Sequence, residues 1–95
     1  GANIFFVQDG ILHTPTPNSF LNGITRQTVI SLAEKKQIRV VDRLILLSEL
    51  KNFTECFITG TAVEVTPVSL IDKIPFVPGE ITKMLMEDYD LLVGK

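Results

Sequence analysis

Two short segments of the chain combine glycine, threonine and small residues in an order that suits an anion site built from backbone amides. In residues 21–26, Gly23 precedes a helical pattern, and the first amides of a helix carry partial positive charge and have no intrahelical partner. In residues 59–68, Gly60 allows close backbone approach to a ligand, and the Thr61 hydroxyl can donate to an oxyanion. Either segment alone is also typical of a simple turn. Together they predict a phosphate-binding cup.

The composition of the chain narrows the class of protein. Its 95 residues are enough for one domain, and 45% hydrophobic against 21% charged residues indicates an ordered core. A net charge of −2 with scattered basic residues argues against nucleic-acid binding. The apolar runs, such as residues 44–47, are too short to cross a bilayer, and the start shows no export signal. With one cysteine, we expect a soluble, cytoplasmic protein.

Local patterns predict a mixture of strands and helices without regular alternation, which favours an α+β fold over a doubly wound sheet. Asp9-Gly10 is a hairpin turn signal between two apolar strands, and Pro15 and Pro17 mark an irregular loop. A second loop carries Pro75, Pro78 and Gly79. The expected elements are strands 3–8 and 11–14, a helix from Thr25 to about Gln37, strand 38–43, a short helix 48–51 capped by Ser48, strands 55–59 and 63–71, and a helix from Glu80 closing at Gly94.

The two long helices each show an apolar face at three- and four-residue spacing, which predicts that both pack on a sheet. The first helix carries Val29, Leu32 and Ala33 on that face. The face of the last helix comprises Ile81, Met84, Leu85, Tyr89 and Leu92.

In the order and spacing of these segments, the chain resembles the class IV (fold type IV) pyridoxal-phosphate aminotransferases, and among them the branched-chain amino-acid aminotransferases. The residues that carry the resemblance are Gly60-Thr61-Ala62-Val63-Glu64-Val65-Thr66-Pro67-Val68, Gly23-Ile24-Thr25-Arg26, Asn3-Ile4-Phe5, Asp9-Gly10 and the Pro15/Pro17 loop. The resemblance implies that residues 1–95 are a C-terminal segment of the larger domain, with mixed, barrel-like strands and two main helices. The smaller N-terminal domain and the region of the Schiff-base lysine would then lie outside it.

The same resemblance assigns roles to the two segments. It implies that the amides of Ile24 and Thr25, with the hydroxyl and amide of Thr61, hold the phosphate of pyridoxal 5'-phosphate. Gly23 and Gly60 belong to the same coenzyme site. Leu21 matches the side chain that packs on the pyridine ring, and the amide of Ala62 matches one that receives the substrate carboxylate.

The implied activity is transfer of an amino group from leucine, isoleucine or valine to 2-oxoglutarate in a homodimeric parent enzyme. None of the six lysines matches the Schiff-base position, so no catalytic residue is assigned and the isolated chain is expected to be inactive. A D-amino-acid aminotransferase and an aminodeoxychorismate lyase of the same fold are alternatives, although the Gly60-Thr61-Ala62 choice favours the branched-chain class. A non-catalytic anion-binding or interaction module is the alternative from a different class.

The remaining chemically notable residues have structural interpretations. His13 lacks partners at metal-ligand spacing and is expected at the surface, and Cys56 in an apolar strand is expected to be a buried packing thiol. Glu64 could orient the turn or pair with a basic residue. Arg26 could neutralise a phosphate or be solvated, and both remain open. The acidic residues within 87–90 are expected to form a solvated face without a metal.

Overall fold

A five-stranded sheet with both long helices on one face forms the centre of the molecule. The computed structural model describes residues 2–17 and 22–95. The strands run in the order β3-β2-β1-β4-β5, all neighbours antiparallel except β2 and β3. The elements of this sheet and its helices are β1 Asn3–Gln8, β2 Ile11–Thr14, α1 Ile24–Lys35, β3 Val40–Asp42, β4 Glu55–Gly60, β5 Glu64–Pro67 and α2 Glu80–Leu92. This confirms the expected α+β class.

The first hairpin forms as predicted because its turn has the right residues. Asp9 and Gly10 have φ of 52° and 76°, so both central residues lie in the left-handed region. A two-residue turn of this kind matches the right-handed twist of the two strands it joins. It pairs Gln8 with Ile11 and thereby sets the register of β2 on β1.

The two faces of the sheet build separate apolar clusters. On the helix side, Phe5 and Phe57 are fully buried and stack with ring centroids 4.9 Å apart, next to Val29, Ala33 and Leu85. On the other side, Phe6 stacks on Phe53 at 4.9 Å, among residues that include the buried Cys56. Alternation along β1 therefore puts one phenylalanine into each cluster.

Several boundaries differ from the expectation. The strand expected over 63–71 is two, β5 and β6 Leu70–Ile71, because Leu70–Ile71 leaves the ladder with β4 and pairs with β7 Ile74–Pro75. Helix α1 ends at Lys35, since Gln37 adopts a φ of 62° that stops the helix. The strand expected over 38–43 is limited to β3. Leu92 is 60% exposed, so its assignment to the packed face of α2 was wrong.

Ser48 does not cap the short helix, which is a 3-10 helix over Leu47–Asn52. Its first turn is closed instead by Glu49, whose carboxylate accepts a hydrogen bond from the amide of Leu46 at 2.8 Å. The same carboxylate pairs with the guanidinium of Arg43 at 2.7 Å, which lowers the pKa of Glu49 to about 2. The side chain three residues into the turn therefore outcompetes the serine hydroxyl as the cap.

Arg43 connects this turn to the sheet through His13. The Nε of Arg43 donates to Nδ1 of His13 at 3.3 Å, and the imidazole packs on Phe53 with centroids 5.3 Å apart. The histidine is half-buried and not fully exposed as expected. Burial and the charge of Arg43 lower the pKa of His13 from its ordinary value, so the neutral ring is the favoured form in the folded chain.

Helix α2 begins under a carboxylate that comes from the sheet. Oε1 of the buried Glu55 accepts hydrogen bonds from the amides of Gly79 at 3.1 Å and Thr82 at 2.8 Å. A Cβ at position 79 would lie 2.6 Å from the other carboxylate oxygen. Gly79 therefore leaves the space that Glu55 occupies, and a negative charge lies at the positive end of the helix.

Replacing Glu55 by alanine should lower the free energy of unfolding by about 1.5–3 kcal/mol, because two hydrogen bonds to a charged group are lost at a buried helix end. Glu80→Ala provides the matched control, since it removes an exposed acid from the same first turn and should cost only about 0.3–1 kcal/mol. Denaturant unfolding of both variants measures the difference. Equal losses would show that Glu55 is not the cap on which α2 depends.

The stability of the chain should fall as the pH drops below about 6.5, because the unfolded chain binds a proton at its histidine at a higher pH than the folded one. The sequence has one histidine, so His13→Gln isolates the effect while retaining an acceptor for Arg43. Unfolding free energies measured from pH 7.5 to 5.5 should decline in the wild type and stay nearly level in the variant. Parallel slopes would rule out the histidine as the source.

Candidate functional site: an open helix end beside a glycine-threonine turn

The N terminus of α1 has backbone amides without intrahelical partners. The first helical hydrogen bond runs from the amide of Gln27 to the carbonyl of Gly23 at 3.1 Å, so the amides of residues 24–26 precede the ladder. Gly23 is the N-cap and makes no side-chain cap bond, and the first turn contains no acidic residue. Of the two long helices, α2 has its positive end covered by Glu55, whereas no such acid lies in the first turn of α1.

The second segment forms the exposed connection between β4 and β5. Gly60 pairs with Glu64 at the end of the ladder, which leaves residues 61–63 as a tight turn, and Glu64 adopts a φ of 54°. The hydroxyl of Thr66 donates to the carbonyl of Val63 at 2.6 Å and so ties the end of the turn to β5. Thr61 and Ala62 are exposed and line an open cleft of about 410 Å³ together with Ala2, Gly60 and Val63. The turn therefore has free space on the side where a ligand would lie.

The register of β1 brings the two segments to the same end of the sheet. Asn3, the first residue of β1, pairs with Thr59, which immediately precedes Gly60. The Oδ1 of Asn3 lies 3.2 Å from the position that a Cβ would take on Gly23. The side chain of Asn3 thus lies beside the start of α1, and its backbone pairs with the residue just before Gly60. Apart from its place in the resemblance, Asn3 carries no sign of this position in the sequence, since strand pairing over more than fifty residues leaves no local signal.

Arg26 is neither solvated nor a free cation beside the site. Its side chain is 4% exposed, and its Nη2 donates to Oδ2 of Asp42 at 2.9 Å. Its Nη1 donates to Oδ1 of Asn22 at 3.1 Å. Of the two possibilities left open, the solvated side chain was wrong, and the charge is already paired with the carboxylate at the end of β3.

Glu64 pairs with Lys95, which confirms the basic-partner interpretation of that residue. The hydrogen bond to Glu64 raises the pKa of Lys95, so the amine next to the turn stays protonated and is a poor nucleophile. The other lysines are exposed, at positions 35, 36, 51, 73 and 83.

The other residues singled out from the sequence are Cys56, the acidic residues within 87–90 and Leu21. Cys56 is 1% exposed, as expected for a packing thiol, and burial raises the pKa of its thiol to about 12. Asp88 lies 3.8 Å from the Nζ of Lys36, while Glu87 and Asp90 face solvent. Leu21 lies outside the described residues. Within residues 2–17 and 22–95, no cluster of acidic, histidine and cysteine side chains could hold a metal, and no helix could span a bilayer.

A glycine-capped helix end and a glycine-threonine turn at one end of a sheet are equipped to bind a compact anion. The helix amides supply partial positive charge, and Thr61 supplies a hydroxyl donor without bulk. A Cβ at position 23 would lie 3.2 Å from Oδ1 of Asn3, a tight contact that glycine avoids. These features fit a phosphate group.

The chain matches known proteins over nearly its full length. The model of the family described as amino-transferase class IV matches residues 1–71. The branched-chain-amino-acid aminotransferase of Pseudomonas aeruginosa is 39% identical over 100% of this chain and 32% of its own length. The branched-chain aminotransferase of Thermoproteus uzoniensis, solved with norvaline, has a TM-score of 0.91 and 41% identity, covering 98% of this chain and 32% of that one.

A second similar structure contains the cofactor pyridoxal phosphate. The aminotransferase of Brucella abortus, solved with pyridoxal phosphate bound, has a TM-score of 0.91 and 33% identity, and covers 99% of this chain and 34% of that one. The chain spans about a third of the length of the relatives it matches. From the family match over residues 1–71 and the shared fold, the chain belongs to the class IV aminotransferases.

Proposed function

We propose that this chain supplies the phosphate-binding part of a pyridoxal 5'-phosphate-dependent aminotransferase that acts on branched-chain L-amino acids, with 2-oxoglutarate as amino acceptor. The observation that carries the proposal is the position of Asn3, whose side chain lies beside Gly23 at the start of α1 and whose backbone pairs with Thr59, just before the Thr61 turn. Similarity to branched-chain aminotransferases supports the substrate class.

The chain's own residues then bind and orient the coenzyme. The amides of Ile24 and Thr25 face the phosphate from the helix end, where Gly23 leaves the approach open. The hydroxyl and amide of Thr61 donate from the turn, with Gly60 allowing close approach. The amide of Ala62 is assigned to the substrate carboxylate. When bound, the coenzyme supplies an electron sink for the carbon that loses its proton.

The 95 residues are assigned to the C-terminal part of the larger domain of a homodimeric, cytoplasmic enzyme. We assign none of the six lysines to the coenzyme carbonyl, because none matches the position of the Schiff-base lysine and all six are exposed. The isolated chain therefore binds anions without turnover. Transamination by the purified 95-residue chain with added coenzyme would overturn this part of the proposal.

Backbone amide spectra of the 15N-labelled chain, titrated with pyridoxal 5'-phosphate and separately with inorganic phosphate, test the site. We expect saturable shifts at Ile24, Thr25, Thr61 and Ala62. Thr61→Val should weaken binding by about tenfold or more, since it removes one hydrogen bond to a charged group. Thr54→Val is the control, because Thr54 is exposed just before the opposite end of β4.

Shifts confined to other residues, or equal affinities of the two threonine variants, would exclude the site. The substrate class is tested on the complete gene product that contains this chain. Turnover of L-leucine, L-isoleucine and L-valine with 2-oxoglutarate is expected, whereas preferential turnover of D-amino acids or of aminodeoxychorismate would replace the branched-chain assignment.

A further inference from the structure

The most buried cation among the described residues lies in the first turn of α1. The side chain of Arg26 is 4% exposed, while its partner Asp42 is 46% exposed, so the guanidinium is inside and the carboxylate partly at the surface. The two Nη atoms donate to different residues, Asp42 and Asn22. A buried guanidinium that donates to two acceptors fixes their relative positions, because its donors are held in one plane.

The hydrogen bond from Nη1 of Arg26 holds the chain just before the helix. Asn22 precedes the N-cap Gly23, and its side-chain oxygen receives Nη1 of Arg26 at 3.1 Å. The Nε2 of Gln27 donates to the carbonyl of the same asparagine at 3.0 Å. Two consecutive side chains of the first turns therefore fold the Asn22–Gly23 segment back against its own helix.

The hydrogen bond from Nη2 of Arg26 connects the helix to the sheet through Asp42. Asp42 is the last residue of β3 and pairs in register with Thr14 of β2. The hydroxyl of Thr14 donates to the carbonyl of Ile4 at 2.8 Å, beside Asn3. A continuous series of contacts thus runs from the start of α1 through Asp42 and Thr14 to the end of β1, where the Thr61 turn begins.

We propose that Arg26 is a positioning residue for the anion site and does not itself neutralise the anion. It fixes the α1 amides at a set distance from the Thr61 turn by holding Asn22 and Asp42 together. This inference rests on the proposed function, since it assumes that the two segments bind one phosphate. Because Asp42 already balances its charge, the helix amides and the threonine hydroxyl supply the attraction.

The alternative is that Arg26 attracts the anion directly and Asp42 merely weakens it. The two roles predict opposite changes in anion affinity for the Asp42→Asn variant. If Arg26 acted as a free charge, removing the aspartate would strengthen anion binding. If Arg26 positions the helix, the same change weakens binding, although it removes a negative charge near the anion.

The experiment measures affinity of the 15N-labelled 95-residue chain for inorganic phosphate and for pyridoxal 5'-phosphate, at two salt concentrations. The variants are Asp42→Asn, Arg26→Gln, Arg26→Lys and the double variant Arg26→Gln/Asp42→Asn. We expect each single change to weaken binding about tenfold and the double change to cost no more than either, as for members of one network. Arg26→Lys should not restore the affinity, because a lysine ammonium cannot donate to two separated acceptors in a fixed plane.

Matched control variants separate the effect of where a charge lies from the effect of the net charge of the chain. Arg39→Gln removes an exposed arginine, and Asp72→Asn changes an exposed aspartate whose φ of 54° suits asparagine. Both should leave affinity unchanged. The specific signature is that anion-induced shifts of Ile24 and Thr25 shrink in Asp42→Asn while those of Thr61 persist, which a general loss of stability would not produce.

The outcomes distinguish the two levels of the proposal. If the wild-type chain shows no anion-dependent shifts at Ile24, Thr25 and Thr61, the proposed site fails and the positioning role with it. If the wild type binds but Asp42→Asn binds as tightly or more tightly, only the positioning role is overturned. Dispersed amide spectra of Asp42→Asn establish that it folds, even where an Arg26 variant does not.

Discussion

The pairing of β1 with β4 is the constraint on which the rest of the molecule depends. It sets Phe5 directly opposite Phe57, and their stacked, fully buried rings form the centre of the helix-side cluster. The same register puts Phe6 opposite Cys56 on the other face and Asn3 opposite Thr59 at the strand ends. A shift by one residue would exchange the faces of every side chain in β1. The packing of the core and the position of Asn3 next to the β4–β5 turn are therefore fixed by one set of backbone hydrogen bonds.

The two long helices show how a common start can serve different purposes. Both begin after a glycine that makes no side-chain cap bond of its own. At α2 a carboxylate from β4 fills the space above the glycine and satisfies the amides, so the helix end is part of the core. At α1 the nearby carboxylate of Asp42 is engaged by a guanidinium. The first turn of α1 contains no acidic residue of its own.

Local features of the fold could be predicted because they depend on residues close in sequence. The Asp9-Gly10 hairpin, both long helices and the strand ending at Gly60 follow from turn chemistry and periodicity. Contacts between side chains that are distant in the chain, or that compete for one partner, could not be predicted in this way. Glu49 displaces Ser48 as a cap, and Arg26 is buried because Asp42, sixteen residues later, returns to it through a parallel strand. The sheet order and the position of Asn3 likewise arise from pairing between distant segments. The two segments proposed to bind an anion are local patterns that a sequence displays, whereas the frame that aligns them depends on pairing between distant segments.

Glu55 and Gly79 illustrate how distant positions become a single unit of variation. The carboxylate occupies the volume that a Cβ at position 79 would need, and the amide of position 79 is one of its ligands. A larger residue at 79 is compatible with the fold only if the acid at 55 shortens or withdraws, and a shorter residue at 55 removes the reason for glycine at 79. We therefore expect these two positions, 24 residues apart, to covary among related sequences.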